Sequence, residues 1–211
     1  MNQGTDEKGS MASCRFGAIS VHGPIPTRLY RAFSEEWQAK ALLQGDVFVT
    51  TLGRCRQYEK KGQGDPWEAR EFYAQTKTVH SEMPEFSVVA SRLNVREMGS
   101  RAELSHCASE TYIWDEHMIC MTECMSDEVI QTFGRYYVGI LDPLKFFKLV
   151  SRRIFHRRRI AHGGMGRMVY RSQVYADLDD PPGPLGYVKD PDVFSNQQEI
   201  RIRWDPAERP P

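Results

Sequence analysis

The sequence predicts an α+β fold: a mostly antiparallel, split β-sheet core with a few flanking helices. Three observations predict it. Runs of β-branched and aromatic residues recur along the chain, about eight of them against about three helical patterns. The runs are not regularly interleaved with helices, which excludes a doubly wound parallel sheet. The last run alternates Ile200, Ile202 and Trp204 with Arg201 and Arg203, the period of a half-buried strand.

The elements follow in order. Residues 1–20 read as a disordered leader, polar at its start and without the apolar stretch of a signal peptide. A single α+β domain is expected over 21–205, and 206–211 read as a loose tail. Residues 27–33 are apolar and aromatic and predict a strand. Ser34 then offers an N-cap, Glu35 and Glu36 suit a first turn, Trp37, Ala41 and Leu42 recur at helical spacing, and Gly45 stops the helix. Residues 46–52 predict a second strand through Val47, Phe48, Val49, Thr50 and Thr51. The polar stretch 53–70, with Gly62, Gly64 and Pro66, reads as a long loop. Strand composition returns at 72–79 and 86–95, and 112–114 with 117–121 suggests a hairpin. Ser126 and Asp127 cap a short helix that Gly134 ends, 136–141 is a strand, and Asp142-Pro143 opens a helix with Phe147, Val150 and Ile154 on one face. Residues 168–176 predict a strand, and the proline- and aspartate-rich stretch 178–191 a surface loop.

Composition narrows the function classes. The 211 residues carry 28 basic and 28 acidic side chains, a balance that argues against a dedicated nucleic-acid coat or a polybasic membrane binder. Five cysteines at irregular spacing do not form a disulfide framework, so a reducing, cytoplasmic setting is expected. No apolar run reaches the ~18 residues of a spanning helix. His117, Cys120 and Cys124 lie near one another, but without a second matched pair they read as buried strand residues rather than metal ligands.

Five groups of residues are candidates for chemistry. Glu199 opens the last strand after a polar turn, where a carboxylate can reach a ribose hydroxyl and stabilise an oxocarbenium cation. Gln197, two residues earlier, can orient an acceptor. The alternative is a solvent-facing Glu199 paired with Arg201 or Arg203. Arg31, beside Tyr30 at the end of the first strand, suits bidentate binding of a phosphate; the alternative is an ordinary exposed arginine. Thr50 and Thr51 can hold a ribose, or serve only as strand formers. Asp65-Pro66-Trp67-Glu68 makes a compact acidic turn. Finally, Arg152, Arg153, Arg157, Arg158 and Arg159 form a basic cluster that can touch nucleic acid or another anion, or complement a helix dipole.

Leu29–Phe33, the 45–51 stretch, Gly64-Asp65-Pro66-Trp67-Glu68 and Lys189…Phe194…Glu199-Ile200-Arg201 together resemble an uncharacterised bacterial family. That family carries an Asn-Asp-Pro-Phe-Glu-like turn and a late Lys…aromatic…Glu-x-Arg segment. Gly64 stands here in place of the turn's Asn. More distantly, Leu29-Tyr30-Arg31 and Gln197-Gln198-Glu199 are similar to the first and last motifs of ADP-ribosyltransferases, with Thr50-Thr51 or Thr122 as the middle one. The resemblance implies an ADP-ribosyltransferase-like fold and NAD bound in a cleft between two small sheets. It implies Glu199 as the essential carboxylate, cleavage of the nicotinamide–ribose bond and transfer of ADP-ribose to a macromolecule. Two rivals stand beside this enzyme. One is a binding module, of a phage or defence-system kind, that recognises an anionic ligand, nucleic acid or protein. The other is a catalytically dead scaffold of the same fold.

Overall fold

In the computed structural model, which describes residues 18–58, 62–96, 99 and 101–207, mostly antiparallel sheets are flanked by six helices. Strands β1 (Ala18–His22) and β2 (Leu29–Phe33) lead into α1 (Glu36–Leu43), and β3 (Thr50–Thr51) runs straight into α2 (Leu52–Arg56). Next come β4 (Arg70–Gln75), β5 (Val79–His80), α3 (Phe86–Arg92), β6 (Glu103–Leu104), β7 (Cys107–Tyr112) and β8 (His117–Thr122). After α4 (Asp127–Phe133), β9 (Tyr136–Ile140) and α5 (Pro143–Arg157) follow β10 (Ile160–Arg167), β11 (Val169–Tyr170), β12 (Val174–Ala176) and β13 (Val188–Lys189). A short α6 (Pro191–Phe194) and one 3-10 turn (Ser195–Gln197) deliver the chain into β14 (Glu199–Pro206).

The main sheet has seven strands in the order β1-β10-β14-β8-β2-β9, with β3 also paired to β8. Every pairing in it is antiparallel except β1 with β10. A second sheet runs β12-β4-β7, and two small two-stranded pieces, β11-β13 and β5-β6, complete the set. The α+β expectation therefore holds in its coarse form.

Strand β14 lies at the centre, flanked by β10 and β8 over most of its length. Its Ile200, Ile202 and Trp204 are fully buried in one apolar cluster with Leu29, Ile119, Met121, Phe147, Val150 and Met165. Each such side chain contributes roughly 1.5–3 kcal/mol by leaving water. Helix α5 closes this cluster. Asp142 caps it by accepting from the Lys145 N–H at 2.9 Å, Pro143 fills its first turn, and its inner face carries Phe147 and Val150. Ser151 Oγ accepts from the Trp204 indole at 2.9 Å, so the largest core side chain has no orphan donor. Gly163, paired to Trp204 across the sheet, must lack a side chain, because a Cβ there would sit 2.9 Å from the indole ring.

Several expected elements differ. The segment 86–95 is helix α3, not a strand, because Val89 packs with Val79 and Leu104 while Phe86, Ala90 and Leu93 join at helical spacing. Only Thr50 and Thr51 of the 46–52 strand pair, and the expected 53–70 loop begins inside α2. The 112–114/117–121 hairpin does not form: β7 pairs with β4, and β8 with β14. Strand β10 was hidden by Gly163, Gly164 and Gly166, which leave room for Trp204, Tyr187 and His22. The end of the expected leader forms β1, and β14 extends to Pro206 in the expected tail. Residues 1–17 and 208–211 lie outside the described residues. Helix α1 takes Glu35 rather than Ser34 as its N-cap. Cys124 is exposed just past β8 rather than buried within it.

Candidate functional site

The polar face of β14 is as buried as its apolar face, which overturns the half-buried expectation. Glu199, Arg201 and Arg203 are 3%, 0% and 7% exposed. The cover comes from two distant segments. Asp65 Oδ1 accepts from the Trp67 N–H at 2.9 Å, tightening the turn so that Glu68, 2% exposed, sits inside. From the other side, the carbonyls of Gly186 and Leu185 accept from Arg201 at 2.9 Å and Arg203 at 2.7 Å. Gly186 has φ +86°, and a Cβ there would strike the Arg203 guanidinium at 2.2 Å.

Two acids and two bases fill this space. Lys189 Nζ donates to Glu199 Oε2 at 2.7 Å, and Arg201 Nε donates to Glu199 Oε1 at 2.9 Å. Arg201 also forks onto Glu68, with Nη2 donating to Oε2 at 3.0 Å and Nη1 to Oε1. Lys189 lies 3.8 Å from the same Glu68 carboxylate and 4.6 Å above the Phe194 ring. Glu116 and Arg203 form a second buried pair at 2.7 Å. Burial alone would raise the Glu199 carboxyl, but Arg201 and Lys189 outweigh it and pull the pKa down to about 2. For Lys189 and Arg201, burial works the other way, and Glu199 and Glu68 more than offset it, holding both cations charged. Asp65 behaves oppositely: burial, then the charge of Glu68, push it up to about 6.

This geometry corrects the roles expected of Glu199 and Gln197. A carboxylate whose two oxygens each accept from a buried cation has no free edge to offer a ribose. Gln197, 6% exposed, donates to the Gly62 carbonyl and accepts from Lys189 at 3.4 Å, so it tethers the 62–68 turn instead of aiming at an acceptor. A cleft of about 350 Å³ lined by Gly62, Thr132, Asp192 and Val193 lies beside this tether, and Glu199 does not line it.

The expected cofactor residues do not converge on Glu199 either. Tyr30, Thr122 and Glu199 are register partners across the sheet, which puts Tyr30 in the same row as Glu199 but two strands away. The Arg31 guanidinium, which senses Cys120 on β8, is engaged elsewhere. It donates to the Phe48 carbonyl at 2.7 Å and lies 5.5 Å from the Phe33 ring. Tyr30 makes an edge contact with Tyr137 at 6.0 Å. Thr51 caps α2 by accepting from Arg54 at 3.2 Å. Thr50 pairs with Met118, about 13 Å along β8 from Thr122 at ~3.3 Å per residue.

The residues that do meet are those quoted for the first resemblance: Asp65, Glu68, Lys189, Phe194, Glu199 and Arg201. Sequence reading missed this cluster because its halves, Glu68 and Arg201, are 133 positions apart. The signal was present in the charged positions of a strand with buried neighbours on both sides.

The surface differs from the interior in charge separation. Arg152, Arg153, Arg157, Arg158 and Arg159 are all exposed, and α5 carries Lys145 and Lys148 besides, with no acidic residue within the helix. A second feature went unread in the sequence. Tyr112 and Trp114 are 46% and 58% exposed with ring centroids 6.0 Å apart, at the end of β7. No family model, curated protein or solved structure matches this chain.

Two outcomes check the interior. Glu199→Gln strands Lys189 and Arg201 and should lower unfolding stability by about 3 kcal/mol in denaturant titration; an unchanged midpoint would refute the structural role. Asp65 has a folded pKa above its ordinary 3.8, so its contribution is full below about pH 4 and is lost as pH rises through about 6. Wild type should therefore lose about 2–3 kcal/mol relative to Asp65→Asn across that window, measured as the difference between their stability–pH curves.

Proposed function

We propose that this protein is a non-catalytic binding module that engages a polyanion, nucleic acid being the partner class, through the outer face of α5. The observation that carries this reading is the one-sided charge of that helix. Lys145, Lys148, Arg152, Arg153 and Arg157 occupy exposed positions with no acid among them, in a chain whose formal charge is zero. Among the described residues, none of these five forms an ion pair. The stripe runs about 18 Å at 1.5 Å per residue, and Arg158 and Arg159 extend it beyond the helix end.

The helix dipole explains only part of this. Cations favour a helix C-terminus, which accounts for Arg157, but Lys145 sits in the first turn, where the dipole disfavours a positive charge. An external anion satisfies the whole stripe. The inner face of α5 is fixed by Phe147, Val150 and the Ser151–Trp204 bond, so the cations stand on a rigid element.

Binding to oligonucleotides should fall steeply with salt, with a log–log slope of about −3 to −4 for four to five phosphates. Joint Arg153→Ala and Arg157→Ala substitution should reduce that slope by about 1.5 without changing the unfolding midpoint. A salt-independent affinity, or one the double variant leaves untouched, would refute the assignment.

A further inference from the structure

We propose that the polyanion is single-stranded nucleic acid, whose bases stack on Trp114 and Tyr112 while α5 holds the phosphates; this rests on the reading of α5 above. Exposed aromatic rings on a surface with segregated positive charge are the combination that recognises unpaired bases, because each base offers a π face while its backbone offers a phosphate.

The two features occupy one corner of the molecule. A cleft of about 150 Å³ is lined by Trp114 and Ala161 together with the carboxylate residues Asp115, Glu116 and Asp205, and Ala161 lies two residues after the basic segment that leaves α5. Burial and then the charge of Arg158, which reaches His117 three residues after Trp114, depress that imidazole's pKa, while Asp115 opposes them. Two arginines brace the aromatic pair. Arg70, register partner of Tyr112, lies 5.7 Å from that ring, and Arg56 donates to the Trp114 carbonyl at 2.6 Å.

The nearby acids have partners within the protein, Glu116 and Asp205 sharing the one guanidinium of Arg203. Asp115 accepts from the Gly53 and Glu116 N–H groups at 2.7 and 3.0 Å, Glu116 is paired with Arg203, and Glu110 is paired with Arg70 at 2.9 Å. Asp205 lies 3.8 Å from His162 and 3.7 Å from Arg203. Trp114 and Tyr112 present half of their area to solvent, whereas Trp204 and Tyr73, 0% and 1% exposed, build the interior. Trp114 at the edge of the cleft and Tyr112 beside it thus have area to give a ligand.

The test is fluorescence anisotropy with three labelled probes: a single strand of about 12 nucleotides, the matching duplex, and heparin as a polyanion without bases. The single strand should bind at least about tenfold tighter than the duplex, and Trp114→Ala or Tyr112→Ala should each weaken it about tenfold with the salt slope unchanged. Trp114→Phe should retain most of the affinity, and heparin binding should ignore all three variants. If Trp114→Ala leaves single-strand affinity intact while Arg153→Ala with Arg157→Ala weakens it, base stacking is refuted and the polyanion reading of α5 stands. If no probe binds, both fall. A dimer that Trp114→Ala dissociates, with no effect on any probe, would make this face a protein contact and overturn the proposal.

Discussion

The contact on which this fold turns is the buried fork between Arg201 and Glu68, closed into a neutral four-charge cluster by Lys189 and Glu199. A central strand with charge on one face would normally leave that face to water. Here two segments far apart in sequence fold over it. Removing any one of the four charges would leave a buried ion without its counter-charge, whereas the intact set is close to balanced. The cluster therefore specifies arrangement more than it adds stability. It fixes where the 62–68 turn and the 184–189 segment must lie, because only there do Glu68 and Lys189 reach their partners.

That constraint propagates to the surface. With one face of β14 fastened to polar loops and the other packed under Phe147 and Val150, both sides of the strand are occupied. Helix α5 is held by its inner face and by Trp204, so its outer face is free to carry like charges with no structural partner. The turn that supplies Glu68 ends at Ala69, whose carbonyl accepts from the Ile113 N–H at 3.0 Å, and so the same loop that closes the interior sets the position of the Tyr112–Trp114 segment. Interior electrostatics and exposed aromatic surface are linked through a few residues of backbone.

Local chemistry was legible in the sequence wherever a single residue decides the outcome. Ser126 and Asp142 cap the helices they were expected to cap, Gly134 ends α4, and the alternation of Ile200, Ile202 and Trp204 marks the core strand. What was not legible depends on partners far away. The composition of 86–95 suits a strand, and only the pocket formed by Val79 and Leu104 makes it a helix. Strand β10 contains three glycines that would argue against it, were Trp204, Tyr187 and His22 not packed over them. Glu199 stood out in the sequence as a carboxylate opening the last strand after a polar turn, a position that suits a cleft, yet it faces inward. Pattern alone could not distinguish a carboxylate facing a cleft from one facing two cations, because the cations are contributed by Lys189 on another strand and by Arg201 two residues along.

Glu199 is a buried carboxylate that Arg201 and Lys189 hold ionised well below the usual glutamate range. Carboxyl-carbon NMR of the folded protein, followed as acid is added, tests this ionisation most directly. The Glu199 resonance should stay at its ionised position down to about pH 3, in keeping with a pKa near 2. A midpoint at or above the ordinary glutamate value of about 4.3 would mean that the carboxylate is not held by Lys189 and Arg201, and would contradict the account.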